Sequence, residues 1–226
     1  MGADPERLSI TVNPHLAVSG LLLVPDSPKA AFVLAHGAGA GMTHHFLADA
    51  ATGLHARGLA TLRYQFPYME RGSRRPDTPA LAHATVRAAA RRANERLPDI
   101  PLFAGGKSFG GRMTSQAQAE APLPNVQGLA FLGFPLHPAG KPAMERAHHL
   151  FDVRVPMLFL QGTRDALADP PLIERLAKEL GKRAALVLFP DADHSFHVPA
   201  RSGRTDQQML AEVLDALAGW IFRTTR

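Results

Sequence analysis

The chain has 226 residues, 46% of them hydrophobic and 20% charged, with a net charge of +5 and no cysteine. That length predicts one domain, 1–226, with an interior large enough to need no covalent or metal staple. The missing cysteine excludes disulfides, thiolate metal sites, iron–sulfur clusters and a cysteine nucleophile.

The opening MGADPERLS lacks the basic start and apolar stretch of a secretory leader, and Glu6 stands where a myristoylation motif takes Ser or Thr. Residues 8–13 and 18–24 read as two short strands joined around Asn13-Pro14. The run LLLV at 21–24 is far shorter than the ~18 apolar residues of a membrane span. The expectation is a soluble cytoplasmic domain without a membrane partner.

AAFVLAH at 30–36 is a continuous apolar run, as in a strand buried on both faces. A helix at 43–57, a strand at 59–66, a polar loop at 67–79 and a helix at 80–97 follow. In that last helix Arg87, Arg91, Arg92 and Arg96 share one side, while Val86, Ala90, Ala93 and Leu97 form the opposite apolar seam. The arginines therefore read as a solvated face, and no nucleic-acid partner is expected. The second half repeats the alternation: strand 101–106, helix 109–120, strands 126–134 and 155–162, helix 170–180, strand 184–190 and helix 205–222. Strands alternating with helices imply βαβ units, hence an α/β fold with a mainly parallel sheet covered on both faces. In such sheets ligands bind beyond the carboxyl ends of the strands.

Three strand ends carry chemistry. Gly106-Lys107-Ser108-Phe109-Gly110 is G-x-S-x-G between a predicted strand and a predicted helix, the context of a nucleophile elbow. The same residues end like a phosphate-binding loop, but that motif needs glycine at 101, where Pro101 stands. A serine hydroxyl needs a base to take its proton and a carboxylate to orient that base. Asp165 follows the strand at 155–162, and His194 follows the last strand, giving the chain order Ser, Asp, His. Asp169 precedes Pro170-Pro171 and reads as a helix N-cap. Asp191 and Asp193 lie too near His194 and read as turn residues, and His197 is a less favoured base. HGAGAG at 36–41 offers backbone N–H groups to a developing oxyanion, with Ala38 and Phe109 as the expected donors, Gly39 the second choice and His36 a structural brace.

HGAGAG, GGKSFGG at 105–111, GTRD at 162–165 and DADHSF at 191–196 together resemble the α/β-hydrolase superfamily. GGKSFGGR and FLGFPLHP are most similar to a small lidless group of dienelactone-hydrolase-like proteins that also includes a histone-acetyltransferase-complex subunit. The resemblance implies an eight-stranded sheet and a Ser108–His194–Asp165 triad. Dienelactone hydrolases proper use a cysteine nucleophile, so their substrate is not carried over. Only 135–154 fills the place of a lid, which implies an open, shallow site.

The mechanism expected is acyl transfer through an acyl-enzyme on a small-molecule ester or thioester, with no metal or organic cofactor. His44-His45 and His148-His149 are not at helical ligand spacing. Arg71, Arg74 and Arg75, with Lys107 and Arg112, are candidates to recognise an anionic group on the substrate. The rival function class is a binding or scaffold protein of the same fold with little turnover. Oligomeric state is not read from the sequence.

Overall fold

A computed structural model describes residues 4–225. The N-terminal expectations, no leader in MGADPERLS and no acyl anchor at Gly2, fall partly on residues 1–3, outside the described residues. The strands are β1 (Glu6–Asn13), β2 (Leu16–Leu23), β3 (Ala30–Ala35), β4 (Leu59–Tyr64), β5 (Leu102–Lys107), β6 (Val126–Leu132), β7 (Met157–Gly162) and β8 (Ala184–Phe189). The helices are α1 (His45–His55), α2 (Pro67–Glu70), α3 (Pro79–Arg96), α4 (Phe109–Glu120), α5 (Pro170–Leu180) and α6 (Asp206–Thr224). Each strand and each longer helix foreseen from patterning is present, displaced at its ends by a residue or two. This is the α/β fold with a mainly parallel sheet expected from the strand–helix alternation, and it has the eight strands that the resemblance implies.

The strands form one sheet in the order β1-β2-β4-β3-β5-β6-β7-β8. Pairing is antiparallel for β1 with β2 and β2 with β4, and parallel from β4 onward. The lead-in hairpin turns where the His15 N–H donates to Asn13 Oδ1 at 2.9 Å, a local bond that asparagine favours in turns. β3 and β5 are buried along their whole length, as strands with helices on both faces must be. Alternate residues feed two cores. Ala31, Val33 and Ala35 join the core under α3, α4 and α5; Ala30, Phe32 and Leu34 join the one under α1 and α6. In α6 the helically spaced stripe Leu210, Val213, Leu214, Leu217 and Ile221 faces the sheet, with Leu210 half-buried and the other four buried.

Two readings need correction. The stretch 67–79 is not loop throughout: Pro67 opens the single turn of α2, which buries Tyr68. The arginine side of α3 is also less solvated than its spacing implies. Arg87 donates to the carbonyls of Ala117 and Ala121 at the end of α4. Arg96 makes a two-pronged pair with Glu6 of β1 at 2.8 and 2.7 Å, and Arg92 meets Glu95 at 3.1 Å.

Between β6 and β7 lies a 3-10 helix, Glu145–Asp152, that buries Ala147 and Leu150; no α-helix or strand interrupts this connection. Buried His137 ties its start to the neighbouring loop. The His137 Nδ1–H donates to the Pro138 carbonyl at 2.9 Å, and Nε2 accepts the Asp169 N–H at 3.0 Å. Asp169 does occupy the N-cap position of α5, but its side chain makes no capping bond.

Candidate active site

Ser108 sits between β5 and α4 with φ 50° and ψ −116°, a backbone conformation that side chains rarely adopt and that costs about 1–3 kcal/mol. The flanking glycines explain how the turn fits. A Cβ at 106 would lie 2.2 Å from the Ala35 carbonyl oxygen, and one at 110 would lie 2.5 Å from that of His36. β5 and α4 can therefore close onto the end of β3 only without side chains there. The same closure brings the β3 loop to the serine: a Cβ on Gly37 would stand 3.8 Å from Ser108 Cβ. Ser108 is half-buried at the N-terminus of α4, whose unpaired N–H groups carry partial positive charge.

The structure brings Ser108, His194 and Asp165 together. His194 Nε2 is 2.8 Å from Ser108 Oγ, and its Nδ1 is 2.6 Å from Asp165 Oδ2. The carboxylate can only accept, so Nδ1 carries the proton and Nε2 is left to accept the serine O–H. Asp165 is 3% exposed, and its other oxygen accepts the Leu167 N–H at 2.8 Å. Oδ2 also accepts from Gln161 Nε2, while Gln161 Oε1 accepts the Phe134 N–H at 2.9 Å. Gln161 was not among the expected site residues; its one signal in the sequence is a polar residue in the apolar run VPMLFLQG.

The competing carboxylates have other work. Asp193 Oδ1 accepts the N–H groups of Ser195 and His197 at 2.7 and 3.0 Å, which folds the turn that bears His194. Asp191 adopts φ 64°, and its N–H donates to Thr163 Oγ1 at 3.0 Å. His197 pairs with Asp206 at 2.8 Å, and that hydrogen bond holds the imidazole's pKa above its ordinary value.

Around the early loop, His36 is buried and engaged at both nitrogens. Its Nδ1–H donates to the Gly37 carbonyl at 2.8 Å and Nε2 accepts the Phe66 N–H at 3.1 Å. Burial pushes its pKa down to about 4, so it stays neutral and serves as a brace. The Gly39 N–H donates to the Tyr68 hydroxyl at 2.9 Å, and the Tyr68 N–H donates to Asp77 Oδ2 at 2.9 Å. The N–H of Gly39, the second choice for the early-loop donor and a candidate substrate contact, is therefore already taken, and α2 holds that residue in place. Among the described residues no protein acceptor takes the N–H of Ala38 or of Phe109. Tyr68 and Asp77 left no signal in a stretch read as polar loop.

The cationic candidates divide. Arg71 donates to Asp77 Oδ1 at 2.7 Å and thereby serves its own loop, whereas Arg74 and Arg75 are exposed. Lys107 does not face substrate space: it is buried, and its ammonium donates to the His194 carbonyl. Arg112 is half-buried, and among the described residues its Nε has no hydrogen-bond partner. One histidine of each pair is engaged, His44 Nδ1 accepting the Phe46 N–H at 3.3 Å and His149 Nε2 lying 2.7 Å from Ser115 Oγ on α4. A cavity of about 690 Å³ opens between α1 and α6, behind the His194 turn, and Ser108 is not among its walls.

Comparison with known proteins places these features in context. A family model described as an alpha/beta hydrolase domain matches residues 28–222. Among solved structures, the chain is similar to an α/β serine hydrolase without lid from Xanthomonas campestris, at 21% identity over 97% of this chain and 96% of that one, TM-score 0.75. It is similar to a dienelactone hydrolase from Anabaena variabilis, at 22% identity over 98% and 99% of the two chains, TM-score 0.76. An α/β serine hydrolase homologue from Coxiella burnetii matches at 19% identity over 92% and 95%, TM-score 0.74.

Proposed function

Because the chain belongs to the α/β-hydrolase family, we propose that it is a serine hydrolase of small esters or thioesters working within one domain, 1–226. The observation that carries this reading is the unbroken hydrogen-bond chain from buried Asp165 through His194 to the strained Ser108. The likeness to the Xanthomonas α/β serine hydrolase and the Coxiella serine hydrolase homologue supports the same nucleophile type here.

His194 Nε2 takes the proton of Ser108 as Oγ bonds to the carbonyl carbon, and the carbonyl π pair moves onto its oxygen. The N–H groups of Phe109 and Ala38 hold that oxyanion. His194 then gives its proton to the departing oxygen or sulfur as that bond breaks. Water repeats the sequence on the acyl-enzyme, losing a proton to His194 and releasing the acid. Asp165 remains ionised and fixes the imidazole tautomer. The reaction needs no metal or organic cofactor. Exposed Arg74, in the loop anchored to the site by Tyr68 and Asp77, favours substrates with an anionic group.

The test is a panel of p-nitrophenyl esters and thioesters of graded acyl length, neutral and acidic. Wild type turns over part of the panel, Ser108→Ala turns over none, and Arg74→Ala raises KM for acidic members more than for neutral ones. A Ser108→Ala protein with wild-type rates would contradict the proposal. Equal effects of Arg74→Ala on both sets would remove only the preference for anionic substrates.

A further inference from the structure

Lys107 lies between the elbow glycine and Ser108, yet its side chain is folded inward and is only 9% exposed. Its ammonium donates to the carbonyl oxygen of His194 and lies 5.6 Å from the centroid of Phe196 and 5.8 Å from that of Phe46. Those rings come from the turn after β8 and from α1, and their planes are 10° apart. A buried ammonium is costly unless its charge is met. Here no carboxylate lies within ion-pair distance among the described residues. The charge is met by one carbonyl, two ring faces and the more distant fields of Asp165 and Asp193.

The turn that Lys107 grips is the one that presents the base. It is strained at its far side, where Phe196 adopts φ 62°, and Asp193 holds it from within through two main-chain bonds. Besides the His194–Ser108 bond itself, Lys107 ties this turn to the strand end carrying the nucleophile. A methionine of similar length would fill the same slot between the rings without the cost of burying a charge.

We propose that Lys107 is a positioning residue for the base: its protonated ammonium, clamped on the His194 carbonyl, keeps the imidazole aimed at Ser108, and turnover requires that it stay protonated. This rests on the hydrolase reading above and extends it to a residue outside the Ser108–His194–Asp165 chain. Burial pushes the ammonium's pKa down to about 8, against the pull of Asp165 and Asp193. Those carboxylates, from the loop after β7 and the turn after β8, are the charged groups acting on it. α1 presents the Phe46 ring, the β3 loop presents Gly37, and the end of β6 presents Gly133. Above about pH 8 the neutral amine keeps its N–H donors but loses the charge that strengthens the carbonyl bond and attracts the rings.

The experiment measures kcat and KM for p-nitrophenyl acetate from about pH 6 to about pH 10 for wild type, Lys107→Met and Asp193→Asn. Far-UV circular dichroism checks the fold at each pH. In the wild type kcat falls reversibly as pH rises through about 8. In Lys107→Met kcat is about 10- to 100-fold lower, with KM within about twofold and no alkaline fall near that pH. Asp193→Asn removes a charge that holds the proton on, so its alkaline fall moves to lower pH. A purely structural role for Lys107 would give the wild type no such limb, or one that survives unchanged in Lys107→Met. Lys107→Met with wild-type kcat, or a wild type whose kcat stays flat to about pH 9, would overturn the proposal. If Lys107→Met does not fold, the wild-type and Asp193→Asn limbs decide. Fluorophosphonate labelling separates the two claims. A wild type that labels at Ser108 but lacks the pH limb loses this inference alone, whereas one that neither labels nor turns over loses the hydrolase reading as well.

Discussion

Asp165 uses both of its oxygens, and the group that shares Oδ2 with the imidazole is Gln161. Gln161→Leu keeps the approximate volume but removes that donor and leaves the Phe134 N–H unpaired. We expect kcat to fall about tenfold with KM little changed, while Asp165→Asn, which disrupts tautomer control outright, costs up to ~10⁴-fold. Steady-state kinetics on one ester checks both; a Gln161→Leu enzyme with unaltered kcat would show that the carboxylate needs no such support. The contrast also explains what could be read in advance. Ser108 was legible because its turn requires glycine on both sides within five residues. Asp165 and His194 were legible because this fold places them after particular strands. Gln161, Tyr68 and the inward course of Lys107 were not, since each acts through a partner remote in sequence: Phe134, Gly39 and the His194 carbonyl. No local spacing encodes such pairings.

At the level of elements, apolar periodicity found the buried seam of α3 but assigned its arginines to water. A period shows which side faces away from the sheet; it does not show that another helix ends within reach. Arg87 donates to the carbonyls of Ala117 and Ala121 at the end of α4; the Ala121 N–H also reaches the Ala117 carbonyl, while Ala121 lies past the last turn, where carbonyls lack intrahelical donors. Arg87→Ala should therefore destabilise the fold by about 1–2 kcal/mol, a discounted figure because the side chain is partly exposed. Arg91→Ala, on an exposed position of the same helix, should change stability by less than about 0.5 kcal/mol. Urea denaturation of the two variants distinguishes a gripping face from a solvated one, and equal midpoints would favour the latter. The one turn of α2 escaped notice for a related reason. Four residues are too few to show a helical period, and its burial depends on Tyr68 reaching the β3 loop.

Across the whole molecule, the sheet separates two cores while its carboxyl edge gathers Ser108, Asp165 and His194 from three strand ends. The architecture was foreseeable because continuous apolar runs alternating with amphipathic helices have few packing solutions. Its pH response depends on buried groups that no pattern reveals. Burial holds His36 and His149 at about 4, below the ordinary 6.5 of histidine. Between those values the unfolded chain binds protons that the folded chain refuses, so stability is full above about 6.5 and declines as pH falls toward about 4. Each group accounts for up to about 3 kcal/mol of that decline, and His197, raised by Asp206, works in the opposite sense. Urea midpoints should drop from about pH 7 to about pH 5, and less steeply in His149→Gln; an unchanged slope would contradict this assignment. The central claim is that Ser108 is a nucleophile made reactive by His194 and Asp165, and its most direct test is intact-protein mass spectrometry after treatment with a fluorophosphonate. We predict a single adduct on the wild type, mapped to Ser108, absent from Ser108→Ala and strongly slowed in His194→Ala. A folded wild type that takes up no adduct, or takes it up elsewhere, would contradict that claim.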